Sequence, residues 1–284
     1  MKKVLITGSS GQLGASLQLN DYDVMRTDIF PQGDQENFTI LDITNELHVK
    51  NLLEAEKPDV IVHLAAMTNV DGCERNPDQA QLINVKGTEN LLNSFSGKFI
   101  FVSSDYVFDG ENGPYIEEDD VNPINVYGKT KLESEESVRR LSNDWIILRT
   151  NVVWNIGGNF KASFADWVVD ELQNNRLIRI VADQWNNPAW TVDIGNVIET
   201  MIKHDGKGLY HHGSSRVINR YDFACMIANV YELNTSLIEP ITTKELNQTA
   251  KRPLKCGLIT KKLENDFNFN PSKTLSDIKA AKNN

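Results

Sequence analysis

Tyr127 and Lys131 stand four positions apart in the segment NVYGKTK, residues 125–131. On a helix, the two side chains would lie one above the other on the same face. A phenol titrates near pH ~10, and a neighbouring ammonium group makes its phenolate easier to form. The spacing is therefore typical of an acid–base pair, although a packed tyrosine beside a solvated lysine would give the same pattern.

The glycine-rich segment TGSSGQLG, residues 7–14, separates an apolar run from a helical pattern. Gly8 would allow a sharp turn, Gly11 would let the backbone approach a pyrophosphate, and Gly14 would let the helix pack closely on the sheet. Free N–H groups at the helix start would then face the phosphate charge. This strand–turn–helix context favours a dinucleotide site over chance glycines in a turn.

Asp28 follows Gly8 by 20 residues, at the end of the second predicted strand. A carboxylate at this place can accept hydrogen bonds from both ribose hydroxyls of an adenosine, and it would repel a 2′-phosphate. We therefore predict NAD(H) or NADP(H) as the cofactor, with NAD(H) slightly favoured and Arg26 close enough to soften that preference. The alternative for Asp28 is an ordinary turn residue at a strand end.

Short apolar runs rich in β-formers alternate with helical patterns through the first half of the chain. Strand–helix–strand units with apolar strands predict a parallel sheet covered on both faces, which is a doubly wound α/β (Rossmann) fold. Ligands bind such sheets at the carboxyl edge. The predicted strands are 3–7, 23–28, 59–66, 98–104 and 145–150, and the predicted helices are 12–19, 45–57, 78–95 and 126–141.

The alternation weakens after about residue 150, where helices predicted at 160–175 and 220–233 are joined by irregular polar segments. We therefore expect residues 1–150 to form the dinucleotide-binding domain, with part of 176–205 returning to it. Residues 151–284 should form mainly a smaller, less regular substrate-binding lobe.

Composition excludes several classes of protein. A formal net charge of -10 argues against a nucleic-acid binder or a basic membrane-surface protein. No apolar stretch approaches the length of a membrane span or a signal peptide, so a cytoplasmic protein is expected. Cys73, Cys225 and Cys256 lack zinc-ligand spacing and are expected to be reduced thiols. No metal site is predicted, because His63 has no partner at ligand spacing and the acidic run 117–120 is typical of a solvated loop.

The G-x-x-G-x-x-G turn and the Tyr127–Lys131 pair together resemble the extended short-chain dehydrogenase/reductase superfamily. In that superfamily a serine or threonine acts with the tyrosine and the lysine, and Ser104, 23 residues before Tyr127, matches it. The resemblance implies that Tyr127 donates a proton to a carbonyl oxygen and that Ser104 holds the same oxygen by a hydrogen bond. Lys131 would bind the nicotinamide ribose and lower the pKa of the tyrosine.

The same resemblance implies further cofactor contacts. Residues 41–44 (LDIT) resemble the segment that borders adenine, with Asp42 either its usual acid or a turn residue, and residues 63–71 (HLAAMTNVD) resemble the segment beside the nicotinamide half. Asn84 matches a helix asparagine with a mainly structural and proton-relay role. The full set of predicted cofactor-binding residues is Gly8, Ser10, Gly11, Gln12, Leu13, Gly14, Asp28, Asp42, Ile43, Leu64, Ala65, Ala66, Thr68, Tyr127 and Lys131.

Within the superfamily, the chain resembles the dTDP-4-dehydrorhamnose reductases, which act last in dTDP-L-rhamnose synthesis. The resemblance is most specific over residues 98–133, where DYVFDG (105–110) is narrower than the superfamily signature. It implies reduction by NAD(P)H of the 4-keto group of a nucleotide-linked 6-deoxyhexose. The residues predicted to contact that substrate are Asp105, Tyr106, Val107, Trp154 and, at its diphosphate, Arg252.

The substrate half departs from the family pattern more than the cofactor half does. Asn151 to Trp154 read N-V-V-W where the family commonly reads S-W-V-Y, and Lys255 and Cys256 replace an asparagine and a serine. Two alternatives stay open: another nucleotide-sugar reductase or epimerase, and a non-catalytic dinucleotide-binding subunit like the methionine adenosyltransferase β subunit. No nucleic-acid or membrane partner is expected, and a homodimer is a candidate assembly.

Overall fold

The computed structural model describes residues 1–31, 37–157 and 163–283. Its strands are β1 (Lys3–Thr7), β2 (Asp23–Asp28), β3 (Phe38–Ile40), β4 (Val60–His63), β5 (Lys98–Ser104), β6 (Trp145–Thr150), β7 (Val153–Trp154), β8 (Ile178–Val181), β9 (Trp185–Asn186), β10 (Ala189–Trp190), β11 (Gly208–His211), β12 (Ile218–Asn219) and β13 (Ile238–Ile241). Its α-helices are α1 (Gln12–Ser16), α2 (Glu46–Glu56), α3 (Val70–Arg75), α4 (Pro77–Ala80), α5 (Gly87–Asn93), α6 (Val126–Leu141), α7 (Phe164–Gln173), α8 (Thr191–Lys203), α9 (Arg220–Val230), α10 (Thr243–Leu246), α11 (Lys261–Phe267) and α12 (Thr274–Lys282). A π-helix covers Gln81–Lys86, and 3₁₀ turns cover Asp105–Val107 and Thr235–Leu237.

Within these ranges, seven strands form one parallel sheet in the order β11-β6-β5-β4-β1-β2-β3. The chain leaves β1 for β2 on one side and later adds β4 on the other, with Val4 beside both Val24 and Val60. This reversal creates a switch point at the carboxyl end of β1, where open α/β sheets bind ligands. The prediction of a doubly wound parallel sheet is confirmed.

Successive side chains of β1 point to opposite faces of the sheet and enter two different apolar layers. Val4 and Ile6 belong to a layer that α8 completes, whereas Leu5 belongs to a layer that α2, α5 and α6 complete. All three side chains are fully buried, and each such burial stabilises the fold by about 1.5–3 kcal/mol. Because both faces are covered there, the central strands β1 and β4 are mostly apolar.

The second half of the chain contributes to two different cores. Trp154 lies in a separate apolar cluster with side chains from α7, α9 and α12. In contrast, α8 packs on the large sheet through residues such as Ile194 and Ile198, and β11 pairs with β6. Helix α8 falls within the range 176–205 that was expected to return to the first domain. The division of the chain into two domains stays a prediction.

The structure corrects several predicted boundaries. The first helix ends at Ser16, because Leu17 already has extended dihedrals. The helix predicted at 78–95 runs from Pro77 to Asn93 and contains the π-helix as its middle part. The strand predicted at 59–66 ends at His63, and the helix predicted at 160–175 begins at Phe164, with residues 160–162 outside the described ranges. Strands β3 and β11 were not predicted, because they are short and only partly buried.

Candidate active site

The turn between β1 and α1 depends on two glycines for close backbone contacts. Gly8 has a φ of +71°, in the left-handed region, and a Cβ there would lie 2.5 Å from the backbone nitrogen of Ala65. A Cβ at Gly14 would lie 2.5 Å from the carbonyl oxygen of Gly8. Gly11 differs, because it is exposed and a Cβ there would meet only the Gly8 oxygen, at 3.3 Å. The first two positions hold the turn together, and Gly11 leaves its backbone accessible.

Asp28 stands at the carboxyl end of β2 and faces this turn. Its Oδ2 accepts a hydrogen bond from the backbone N–H of Ser10 at 3.0 Å, and its Oδ1 accepts one from Ile29 at 2.7 Å. Arg26 donates instead to the carbonyls of Gly14 and Leu17, at 2.9 and 2.7 Å. The expectation that Arg26 softens the effect of Asp28 is therefore unsupported, since its guanidinium stabilises the end of α1.

The other predicted cofactor residues lie in loops at the same edge of the sheet. Asp42 Oδ1 accepts hydrogen bonds from the backbone and hydroxyl of Thr44, at 2.9 and 2.7 Å, which makes an Asx turn. Ile43 is buried, and its carbonyl accepts a hydrogen bond from the side chain of Asn90. Of the predicted cofactor residues after β4, Leu64, Ala65 and Ala66 are partly exposed and Thr68 is exposed.

The residues of the glycine turn fit the phosphate groups of a dinucleotide. Gln12 Nε2 is buried and has no hydrogen-bond partner among the described residues, whereas buried amide donors ordinarily have one. Leu13, beside it, packs against the apolar layer under the sheet. A phosphate oxygen would satisfy the Gln12 donor, and the exposed backbone of Gly11 would allow it to approach.

Helix α6 carries Tyr127 and Lys131, and its start is fixed by Asn125. The Asn125 side chain accepts a hydrogen bond from Gly128 N–H at 2.8 Å and donates one to the Lys251 carbonyl at 2.9 Å. The Lys131 ammonium donates to the Val102 carbonyl at 2.7 Å and lies 4.0 Å above the Phe101 ring. Because Val102 belongs to β5, this contact ties the lysine to the sheet.

Burial dominates the titration of both side chains. It raises the pKa of Tyr127, an effect that a hydrogen bond with Ser104 opposes and the negative charge of Asp105 reinforces. It lowers the pKa of Lys131 to about 7, against the effect of Glu135. The predicted lowering of the Tyr127 pKa by Lys131 is not seen in this structure, because burial and the negative charge of Asp105 both raise that pKa.

A buried ion pair lies behind the lysine. Glu135, one turn after Lys131, is fully buried and receives two hydrogen bonds from Arg149, each at 2.8 Å. Ser103 donates a further hydrogen bond to the same carboxylate at 2.6 Å. These contacts lower the pKa of Glu135 although burial acts in the opposite direction. The pair therefore fixes α6 against β5 and β6.

Asn84 connects α6 to the loop after β4. It lies in the π-helix, where it donates to Thr130 Oγ1 at 2.9 Å and accepts from Met67 N–H at 2.7 Å. Its predicted structural role agrees with these contacts, and π-helical turns often occur at functional sites.

Ser104 and Asp105 form a polar cluster where β5 ends. Ser104 Oγ donates to Asp105 Oδ1 at 3.1 Å and accepts from Tyr106 N–H at 3.2 Å. Asn186 Nδ2 donates to the other carboxylate oxygen of Asp105 at 2.9 Å. Burial raises the pKa of Asp105 to about 7, against these hydrogen bonds and the positive charge of Arg220.

The predicted substrate residues divide into those with accessible side chains and those without. Tyr106 is half-buried, and its ring meets that of Tyr127 edge-on, with 5.8 Å between centroids. The side chains of Val107 and Trp154 are fully buried in two apolar clusters. The prediction that these two contact a substrate is corrected, because neither side chain offers surface to a ligand.

Arg252 is already paired within the protein. Its Nη1 lies 3.1 Å from Asp71 Oδ1 and donates to the Ala250 carbonyl at 3.0 Å. Arg220 and Asn186 were not singled out from the sequence, yet both act on Asp105. Sequence spacing gives no signal for either, because they lie 115 and 81 positions after Asp105.

His63 lies inside β4, and its ring bonds the hydroxyls of Thr7 and Thr88, at 2.7 and 2.9 Å. Burial lowers its pKa to about 3. Throughout the described ranges there is no group of three or more His, Cys, Asp or Glu side chains placed to hold a metal ion. No helix in those ranges is long and apolar enough to cross a membrane.

Comparison with known proteins shows the family to which the chain belongs. The sequence model of the RmlD substrate binding domain family matches residues 1–284. The chain belongs to this family. The resemblance to dTDP-4-dehydrorhamnose reductases that the sequence indicated is thereby confirmed.

The proteins similar to this chain include reductases and a subunit of another enzyme. A dTDP-4-dehydrorhamnose reductase from Aggregatibacter actinomycetemcomitans is 34% identical, over 99% of each chain. The methionine adenosyltransferase 2 subunit beta of Bos taurus is 34% identical, over 93% of this chain and 82% of its own. A crystal structure of the dTDP-4-dehydrorhamnose reductase of Bacillus anthracis with NADP superposes with a TM-score of 0.91, at 28% identity over 99% of each chain.

Proposed function

We propose that this chain reduces the 4-keto group of a nucleotide-linked 6-deoxyhexose with NADH or NADPH. The observation that carries the proposal is the set of Ser104, Tyr127 and Lys131, placed around the carboxyl end of β5 at the sheet edge that also bears the glycine turn. The 34% identical reductase of A. actinomycetemcomitans and the NADP complex of the B. anthracis reductase support the same reaction.

A bound nicotinamide dinucleotide supplies the hydride that converts the keto group into an alcohol. Tyr127 donates its proton to the carbonyl oxygen as negative charge develops there. Ser104 donates a hydrogen bond to the same oxygen. Lys131, whose pKa burial lowers to about 7, carries a positive charge in its protonated form. With cofactor and substrate bound, that charge would favour the tyrosinate left behind, and the contact with Val102 would hold the ammonium in place.

Two arginines give the proposed substrate side a positive charge. Burial lowers the pKa of Arg220, and the nearby charge of Arg252 adds to this effect. Both guanidiniums also act on Tyr106. Two guanidiniums this close together suit a diphosphate, whose oxygens accept bidentate hydrogen bonds. We assign the diphosphate of the nucleotide sugar to this pair.

For the coenzyme, we propose that NADH is preferred and NADPH is accepted. Asp28 already accepts hydrogen bonds from Ser10 and Ile29, so its carboxylate is held where a ribose hydroxyl would meet it. A 2′-phosphate at that place would be repelled. The B. anthracis reductase was solved with NADP, which supports use of the phosphorylated coenzyme by the fold.

The test is oxidation of NADH and NADPH with dTDP-4-dehydro-L-rhamnose made in situ, with Tyr127→Phe beside the wild type. We expect turnover by the wild type and a fall of roughly 10²-fold or more in the variant, because the proton donor is lost. An active wild type with an equally active Tyr127→Phe variant would remove Tyr127 from the reaction.

A second candidate function is a regulatory subunit that binds dinucleotide without turning over a sugar. The similarity to the methionine adenosyltransferase 2 subunit beta favours it. A related possibility is reduction or epimerisation of another nucleotide sugar. No turnover of any keto-sugar, together with tight dinucleotide binding and co-purification of a methionine adenosyltransferase catalytic subunit, would replace the reductase by the regulatory role.

A further inference from the structure

The Ser104 hydroxyl has one proton to donate, and it lies between a hydrogen-bond donor and an acceptor. Its oxygen accepts a hydrogen bond from Tyr106 N–H at 3.2 Å, and its proton is donated to Asp105 at 3.1 Å. A hydroxyl donates a single hydrogen bond. While that proton goes to Asp105, Ser104 has none to give to a substrate oxygen.

Asp105 is held so that one oxygen faces Ser104. Asn186 Nδ2 donates to Oδ2 at 2.9 Å, which leaves Oδ1 for the serine. Asp105 is almost completely buried, with 1% of its surface exposed. A neutral Asp105 would carry a proton of its own and could donate it to Ser104 Oγ, which would reverse the hydrogen bond.

We propose that Asp105 is a positioning residue whose charge sets the direction of the Ser104 hydrogen bond, and thereby whether Ser104 can donate to the substrate oxygen. This inference rests on the proposed reductase function. Neutral Asp105 donates to Ser104 and frees the serine proton. Ionised Asp105 captures that proton, and Tyr127 is then left to donate to Ser104 Oγ in place of the substrate.

The titratable and charged groups around Asp105 come from several elements. Tyr106 follows it in the 3₁₀ turn, Tyr127 faces it from α6, Arg220 from α9, and the Cys256 thiol donates to its carbonyl at 3.5 Å. Burial raises the pKa of Tyr106 to about 12 and also raises that of Cys256. Among these groups, Asp105 is the one that titrates near neutral pH, with a pKa raised to about 7. Lys131, one turn beyond Tyr127 on α6, titrates in the same range, because burial lowers its pKa to about 7.

The first test compares the pH dependence of kcat/KM for keto-sugar reduction in the wild type and Asp105→Asn. We expect the wild-type value to fall about a hundredfold per unit well above pH ~7, because neutral Asp105 and charged Lys131 are both lost there. Asp105→Asn should fall only about tenfold per unit, through Lys131 alone, and exceed the wild type at high pH, since the oxygen of its amide faces Asn186 and its NH₂ group donates to Ser104. A variant that keeps the same fall, or is slower than the wild type at every pH, would overturn the proposal.

Two further variants distinguish positioning from a structural effect. Asn186→Leu removes a hydrogen bond that stabilises ionised Asp105, so the fall in kcat/KM should move to higher pH. Asp109→Asn is the matched control, because its hydrogen bonds hold the pKa of Asp109 below its usual range. Its profile should match that of the wild type. An unmoved fall in Asn186→Leu would contradict the role of Asp105.

An infrared measurement tests the inference without any substrate. The carboxyl band of neutral Asp105 is obtained by subtracting the spectrum of Asp105→Asn below pH ~7. If neutral Asp105 donates to Ser104, the band should shift in Ser104→Ala, where that acceptor is missing. An unshifted band would overturn the proposal. A shifted band in a protein that turns over no keto-sugar would establish the hydrogen bond and refute the reductase function.

Discussion

The glycine turn after β1 depends on backbone geometry, whereas the polar cluster around Asp105 depends on side chains from distant parts of the chain. Gly8 and Gly14 are required because a Cβ at either would collide with backbone atoms. Asp105 is surrounded by Asn186 from β9 and Arg220 from α9, which only tertiary packing brings to the end of β5.

This difference explains how one half of the site can change while the other does not. The glycine turn has no room for a Cβ at Gly8 or Gly14, so a side chain at either position would disrupt the whole turn. A cluster of side chains can be altered one residue at a time, because each element keeps its own packing. The departures from the family pattern at Asn151, Lys255 and Cys256 lie in the second kind of region.

The largest expected effect comes from adding one methyl group to the turn. Gly14→Ala places a Cβ about 2.5 Å from the Gly8 oxygen, and we expect a loss of ~3 kcal/mol or more in the free energy of unfolding, with loss of dinucleotide binding. Gly11→Ala is the matched control for stability alone, because its Cβ would meet only one atom, at 3.3 Å. Urea unfolding and NADH fluorescence measure both. If the two variants were equally stable, the turn would not depend on the close backbone contact at Gly14.

The buried ion pair behind Lys131 gives the next largest effect. Glu135→Gln leaves the Arg149 guanidinium buried without its carboxylate, which should reduce the free energy of unfolding by about 3–5 kcal/mol. Glu133→Gln, at an exposed position of the same helix, should change it by less than ~0.5 kcal/mol. Chemical denaturation of both variants checks this. A small loss in Glu135→Gln would show that α6 does not depend on the pair.

On the substrate side, Arg220→Gln should raise KM for the nucleotide sugar about tenfold or more and leave the Kd for NADH unchanged, because the diphosphate loses a partner and the dinucleotide does not. Arg252→Ala should raise KM by a smaller factor, since Arg252 is already paired with Asp71. Steady-state kinetics and NADH titration measure both. If KM were unchanged in both variants, neither arginine would bind the diphosphate of the substrate.

The smallest effect is expected at the coenzyme ribose. Asp28→Asn should shift the ratio of kcat/KM values for NADH and NADPH about tenfold or less towards NADPH, because the charge that repels the 2′-phosphate is removed. Asp42→Asn should leave the ratio unchanged, since Asp42 is engaged in an Asx turn with Thr44. If Asp42→Asn changed the ratio, the charge that discriminates between NADH and NADPH would be assigned to Asp42, in the loop after β3, and not to Asp28.

Local signals predicted the sheet, the glycine turn and the helix that carries Tyr127 and Lys131, because each depends on neighbouring residues in the sequence. The contacts of Arg220, Asn186 and Arg252 could not be predicted, because they join segments far apart in the chain. Trp154 and Val107 were misassigned for the same reason. An aromatic or β-branched residue beside a motif gives no sign of which face packing will bury.

Strand β11 covers the edge of the large sheet that β6 would otherwise expose. It pairs with β6 from Gly208 beside Ile146 to His211 beside Arg149. A chain shortened to residues 1–150 would leave the N–H and C=O groups of β6 open along an apolar edge. Such an edge recruits other strands, so this fragment should self-associate on expression. Residues 1–150 therefore cannot be transplanted alone into a chimeric protein, and segment exchange within this family should keep β11 with the strands it covers.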